Sequence, residues 1–188
     1  LCGLLKPESG VITADGSTAE AEYLNSYCAY MFQNPDYQIF LPTVSEELGW
    51  GLKEAGFKPE VIAERIENVI EEFRLPKGDS PPSLMSFSAR KRLQAAVYYL
   101  LQRPVFILDE ADTGLSFRDF HLLLNQLRAV GRGIIVITHN LELAAAVSDR
   151  VLGMVNGKIA GDLDNISSEG IGSWLAASEK RTGRDSDC

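Results

Sequence analysis

Two apolar runs that end abruptly in polar, chemically capable residues set the fold class of this 188-residue chain. VFIL at 105–108 runs straight into Asp109 and Glu110, and GIIVIT at 133–138 runs into His139. Unbroken apolar runs of this length belong to strands buried on both faces of a parallel sheet. Their carboxyl ends are where open α/β sheets hold ligands. The segments around them agree: 89–102 and leucine-rich 117–130 read as helices, and 141–148 as a short one. A third run, YCAYMF at 27–32, is strand-like and leads at once into Gln33-Asn34-Pro35. Strand–helix–strand–helix order of this kind predicts an α/β domain.

A different texture separates the first strand from the second. From 43 to 74, Val61, Ile62, Ile66, Val69, Ile70 and Phe73 recur at three- and four-residue steps between Glu64, Arg65, Glu67, Glu71 and Glu72, which predicts a helix. KGDSPPSL at 77–84 is a linker by composition. Residues 43–100 therefore read as a helical lobe inserted into the sheet domain. VITADG at 11–16 predicts a strand ending in an Asp-Gly turn, and 151–160 a hairpin around Asn156-Gly157. The domain is expected over 1–165, with a C-terminal helix and mobile tail over 166–188. LCGLLKPESG at 1–10 reads as the end of a helix, so the sequence is expected to be a piece of a longer protein.

Composition narrows the function classes. With 45% hydrophobic and 23% charged residues, the chain has enough apolar content for a core, unlike a disordered or collagen-like sequence. No apolar run approaches the roughly 20 residues that span a bilayer. The net charge of −8 argues against a broad nucleic-acid-binding face. Cys2, Cys28 and Cys188 are scattered without metal-ligand spacing, which fits a reducing compartment, and Cys28 is expected in the core. No charged-then-apolar stretch of the secretory kind occurs in these residues.

Four positions could carry chemistry. Asp109 could hold Mg²⁺ through oxygen and water, and Glu110 could orient and deprotonate a water. The same two acids would also suit the dipole of the following helix. The imidazole of His139 could hydrogen-bond a terminal phosphate, or simply open the next helix. Gln33 could touch both a metal ion and a water, or be an ordinary loop residue. Their order tightens the reading: 53 residues from Gln33 to Ser86, 23 from there to Asp109, and 29 from Glu110 to His139.

That series resembles the ATP-binding-cassette (ABC) ATPases. FQNPDYQIF at 32–40 resembles the family's Q-loop, FILDEADTGLS at 106–116 its Walker B and D-loop, and 136–163 its H-loop and closing strands. The stretch FQNPDYQIFLPTVSEELGWGL is most similar to the energy-coupling-factor type, which powers cobalt or vitamin uptake. The resemblance implies a P-loop-type parallel sheet with an inserted helical subdomain, and ATP and Mg²⁺ as cofactors. It implies that Asp109 organises Mg²⁺, Glu110 is the base for water, and His139 contacts the γ-phosphate. Gln33 would sense the metal and γ-phosphate, and Ser86 and Ser88 would stand in the signature. The implied partners are a second ABC ATPase subunit and a transmembrane subunit gripped by the helical lobe, on the cytoplasmic face of the membrane. A nucleic-acid partner is not expected.

The sequence departs from the family in three places. No GxxxxGK[ST] Walker A loop occurs in the 188 residues, although its amides and lysine are what cradle phosphate. The expectation is that about 40 residues, the usual size of a βαβ unit, precede Leu1 in the natural protein. A shortened docking subunit that never turns over nucleotide is the rival. The signature reads Met85-Ser86-Phe87-Ser88-Ala89, with Phe87 where a glycine lets the backbone approach phosphate. This predicts a degenerate half-site and hence a heterodimer. Arg90, Lys91 and Arg92 read as a solvated helix face. The D-loop has Ala111-Asp112 and ends in Ser116, where the family usually carries Pro-Thr and Asp.

Overall fold

Asp15 and Gly16 both take positive φ, 50° and 80°. That is the geometry of a two-residue type I′ turn, and it joins β1 (Thr13–Ala14) to β2 (Ser17–Thr18). The computed structural model describes residues 1–131, 133–164, 167 and 169–174. The chain divides into two compact units, Leu1–Ile137 and Thr138–Cys188. Residues 1–10 form bends rather than the expected helix end, with Gly3 and Gly10 at positive φ.

In the first unit, α1 (Ala21–Tyr27) leads directly into β3 (Cys28–Met31). This helix was not expected. Its seven residues bury only Leu24, so no periodic apolar stripe announces it. The helical lobe follows as α2 (Val44–Glu54), α3 (Pro59–Glu72) and α4 (Phe87–Leu101). The single helix read over 43–74 is in fact two. Gly56 at φ +79° and the φ-locked Pro59, at the first position of α3, break it. Thr43 caps α2 by accepting from Glu46 N at 3.2 Å, while its hydroxyl donates to Glu46 Oε2 at 2.7 Å.

Next come β4 (Val105–Asp109), α5 (Phe117–Val130) and β5 (Gly133–Ile137). The sheet order is β3–β4–β5, all parallel, with Met31 beside Leu108 and Asp109 beside Ile137. Leu93, Ala95 and Ala96 of α4, Phe106 to Leu108 of β4, and Phe120, Leu123, Leu124 and Leu127 of α5 are buried. Each large apolar side chain among them contributes roughly 1.5–3 kcal/mol of transfer free energy. The expectation for β5 is only half met. Its Ile135 and Ile137 are 41% and 46% exposed, and β5 pairs with β4 alone among the described residues.

In the second unit, Asn140 caps α6 (Leu141–Val147) by accepting from Leu143 N at 3.0 Å. β6 (Arg150–Val155) and β7 (Lys158–Asp164) form the expected hairpin around Asn156 and Gly157, both at positive φ. Trp174, in a helical segment at 169–174, lies over Gly153 and Gly161, where no β-carbon would fit. The expected tail beyond 174 lies outside the described residues.

The D-loop departure at Ser116 has a local reason. Its hydroxyl accepts from Asp119 N at 3.1 Å and donates to Asp119 Oδ2 at 2.7 Å, capping α5. Ser116→Ala is expected to lower unfolding free energy by about 1 kcal/mol, the usual value of an N-cap, in a urea titration of the complete polypeptide. A change under about 0.3 kcal/mol would show that the cap is idle.

Candidate active site

Parallel pairing brings the carboxyl ends of β3 and β4 side by side, so residues separated by 77 positions meet. Gln33 follows β3 by two residues and Glu110 follows β4 by one. The Gln33 amide donates from Nε2 to Glu110 Oε2 at 2.6 Å. Asp109, the last residue of β4, accepts from the Tyr30 hydroxyl at Oδ2, 2.7 Å away. Three of the residues read from sequence are therefore one cluster: an amide and two adjacent carboxylates.

Glu110 sits in an uncommon backbone conformation, φ +44°. Left-handed geometry at a non-glycine residue costs about 1–3 kcal/mol and survives only when its surroundings enforce it. Here Glu110 N donates to Ile137 O at 2.9 Å, and Glu110 O accepts from Thr113 N at 3.1 Å and from Lys91 Nζ at 3.2 Å. Lys91 is wholly buried, contrary to the solvated face expected for Arg90–Arg92. Burial drives its pKa down to about 8, against the pull of Asp112, Asp109 and Glu110. The flanking arginines are also engaged. Arg90 pairs with Asp36 at 2.9 Å and donates to Met85 O at 2.6 Å, and Arg92 Nε donates to Phe73 O at 3.1 Å.

A second polar cluster holds the loop after β3. Gln38 Oε1 accepts from Phe32 N at 3.1 Å, and Gln38 Nε2 donates to Tyr30 O at 2.8 Å. The Tyr98 hydroxyl also donates to Tyr30 O at 2.8 Å, and Gln94 of α4 bonds Gln38. These side chains satisfy backbone groups that a neighbouring strand would otherwise take. Further along, buried Glu47 of α2 accepts from Phe40 N at 3.1 Å and Leu41 N at 2.8 Å, and burial pushes its carboxyl pKa up. The cluster after β3 is thus tied to the helical lobe at both ends.

The remaining sequence candidates are Ser86, Ser88 and His139. Ser86 caps α4 by accepting from Ala89 N at 3.3 Å and lies 3.3 Å from the Ser88 hydroxyl, so their hydrogen bonds stay within that first turn. His139 belongs to the second unit, exposed and just before the α6 cap Asn140. Cys28 is half-buried, Cys2 is buried, and Cys188 lies outside the described residues. Sequence reading missed Tyr30, Gln38, Gln94 and Tyr98. The local signal was a tyrosine at the penultimate position of β3.

The donor set suits a hard cation. Tyr30 occupies Oδ2 of Asp109 and leaves Oδ1, and Gln33 keeps its amide oxygen. Among the described residues no group of three or more His, Cys, Asp or Glu gathers into an all-protein cage. Mg²⁺ fits such a site, because it takes one or two carboxylates and completes its shell with water and phosphate oxygens. A groove of about 290 Å³ between α2 and α3 is lined by Leu41, Trp50, Lys53, Ile62 and Ile66. Phe40 stacks edge-on to Trp50 at 6.4 Å beside it.

The family model described as ABC transporter matches residues 1–113. The chain belongs to the ABC transporter family. It is 34% identical over 165 residues to an ABC transporter ATP-binding protein of Pyrococcus furiosus, covering 84% of this chain and 63% of that protein. It is 36% identical over 166 residues to one of Methanosarcina acetivorans, covering 85% and 27%. The chain thus spans less than two-thirds of the length of these curated ABC relatives. CbiO1 from Clostridium perfringens, described as part of the CbiONQ ABC transporter complex, superposes with a TM-score of 0.78 at 24% identity. That match covers 99% of this chain and 79% of CbiO1. A dimeric ATP-binding cassette bound to ADP and phosphate superposes at 0.75 and 17%, covering 88% and 77%. The ABC cassette fold is therefore shared with both. Among the described residues no helix is long and apolar enough to cross a membrane.

Tyr30→Phe tests the arrangement around Asp109. The bond to Asp109, with burial behind it, raises the Tyr30 phenol from 10.0 to about 12. A group held protonated in the folded state stabilises fully below its unfolded pKa, and the effect fades as pH rises through the folded one. Wild type is expected to exceed Tyr30→Phe by about 1 kcal/mol at pH 7 to 9 in urea titrations, the worth of one hydrogen bond. The difference should close above pH 12. A pH-independent difference would assign the effect to packing.

Proposed function

We propose that the complete polypeptide carrying this chain is the ATP-hydrolysing subunit of an ABC importer, with Glu110 as the base that draws a proton from water. The observation that carries the reading is the 2.6 Å contact of the Gln33 amide with the Glu110 carboxylate, beside Asp109 at the ends of two parallel strands. Asp109, with Gln33, would hold Mg²⁺, which when bound neutralises charge on the phosphates. Glu110 holds its carboxylate toward the strand ends, oriented by Gln33, and accepts the proton. His139 would donate to the γ-phosphate. ATP is the ligand class of the family, and the ADP-bound neighbour supports it.

The missing phosphate cradle is assigned to the part of the polypeptide outside this sequence. β5 pairs with β4 alone among the described residues, and with Ile135 and Ile137 exposed this supports a further strand beside it that carries the Walker A loop. Phe87 in the signature supports a heterodimer, in which an intact signature of a second cassette completes the competent site. Ser86 and Ser88 would face the partner's phosphates in the slower one. The α2–α3 groove with exposed Trp50 supports docking on a transmembrane subunit, which places the chain on the cytoplasmic face. The cobalt or vitamin class rests on the Q-loop stretch and the likeness to CbiO1. The cassette would extend over 1–165, with 166–188 as its C-terminal appendage.

The competing reading, a docking subunit that never hydrolyses nucleotide, is favoured by the lack of GxxxxGK[ST] within the 188 residues. One variant and one reading frame separate them. An in-frame Walker A sequence upstream of Leu1, together with a fall of roughly 10²–10⁴-fold in kcat for Glu110→Gln in the assembled transporter, supports hydrolysis at this site. Unchanged turnover in Glu110→Gln removes Glu110 as the base, and an upstream frame without the loop favours the docking subunit.

A further inference from the structure

The buried lysine of α4 is unusual for a residue in a run of three cations. Lys91 has no exposed surface, yet its ammonium is directed at a main-chain oxygen, the carbonyl of Glu110 at 3.2 Å. Burying a cation is costly unless it is matched, so a helix position without a task there would carry an apolar residue. Its surroundings are specific. The Phe87 ring lies 5.5 Å from Nζ, within cation–π reach, and the same ring fills the place of a β-carbon on Gly114, whose φ is +77°. Lys91 and Phe87, one turn apart on α4, therefore clasp both ends of the 110–114 loop.

We propose that Lys91 is a positioning residue for Glu110: its ammonium holds the Glu110 carbonyl, and so maintains the left-handed backbone that turns the carboxylate toward Gln33. Glu110 is otherwise held at φ +44° by main-chain bonds to Ile137 and Thr113, which fix the peptide at either side. Lys91 adds a side-chain donor to that carbonyl. The clasp also gives Phe87 a task. The ring that spoils the signature as a phosphate contact packs instead on the D-loop of its own chain, so the helix start and the acid loop move as one piece. The proposal rests on the reading of Glu110 as the base.

The test uses the complete polypeptide in its assembled transporter. Lys91→Met, matched in length but without a donor, is expected to lower kcat for ATP roughly 10- to 100-fold, the scale of a misplaced catalytic group. KM for ATP should move less than threefold, because Lys91 has no exposed surface on which to meet a nucleotide. Lys91→Arg should recover most of the rate. In a Glu110→Gln background Lys91→Met should cost nothing further, since groups acting through one another are not additive. A full kcat in Lys91→Met, or an added loss in the Gln background, overturns the proposal. If the Met variant fails to fold, Lys91→Arg and Lys91→Gln decide. Arg near the wild-type rate with Gln tenfold slower supports positioning by a long cationic donor, and equal rates overturn it. Wild-type turnover in Glu110→Gln alone would instead mark failure of the base assignment, and the Lys91 proposal would fall with it. A silent Lys91→Met beside an inactive Glu110→Gln fails only the lysine.

Discussion

Parallel pairing on both sides of β4 is the constraint on which the rest depends. In a parallel sheet every strand points its carboxyl end the same way, so the residues just past each strand share one rim. Cys28 aligned with Val105, and Val105 with Gly133, place Gln33, Asp109 and Glu110 within reach of one another without any loop having to fold back. A shift of β3 by one residue would turn Tyr30 away from Asp109 and move Gln33 off Glu110. The site is a product of register first and of side-chain choice second.

Besides the apolar packing of α4 in the core, the helical lobe is tied to that rim by polar bonds. Gln38, Tyr98 and Gln94 occupy the outer side of β3, Glu47 collects two amides of the following loop, and Arg90 of α4 reaches Asp36. Each bond is modest alone, about 1 kcal/mol net, but they are directional and leave few ways to slide. A loop held at both ends by such contacts transmits displacement instead of absorbing it. That property suits a segment lying between the Gln33 amide, on the Glu110 carboxylate, and a surface lined by Phe40 and Trp50.

Much of the fold was legible because it is periodic. The helix at 117–130 was read to the residue, the strands at 105 and 133 within one, and the Asp15-Gly16 turn and the Asn156-Gly157 hairpin from their dipeptides. What escaped was set by tertiary structure. α1 carries no stripe, the break at Gly56 hides inside a continuing apolar rhythm, and the exposure of β5 depends on what neighbours it has. At the site, Gln33, Asp109 and Glu110 were legible because a polar residue at the end of an apolar run is conspicuous. Lys91 was not, since nothing local separates a buried lysine from its two arginine neighbours. The carbonyl it serves lies 19 residues away along the chain. Tyr30 escaped for the same reason: its partner is on another strand.

The two tryptophans occupy opposite environments, and this gives the molecule built-in optical reporters. Trp50 is 49% exposed at the rim of the α2–α3 groove, whereas Trp174 rests on the bare backbone of Gly153 and Gly161. Indole emission follows the polarity around the ring. Anything that settles into the groove will blue-shift the emission of Trp50, so that occupancy of the lobe can be followed by intrinsic light without a label.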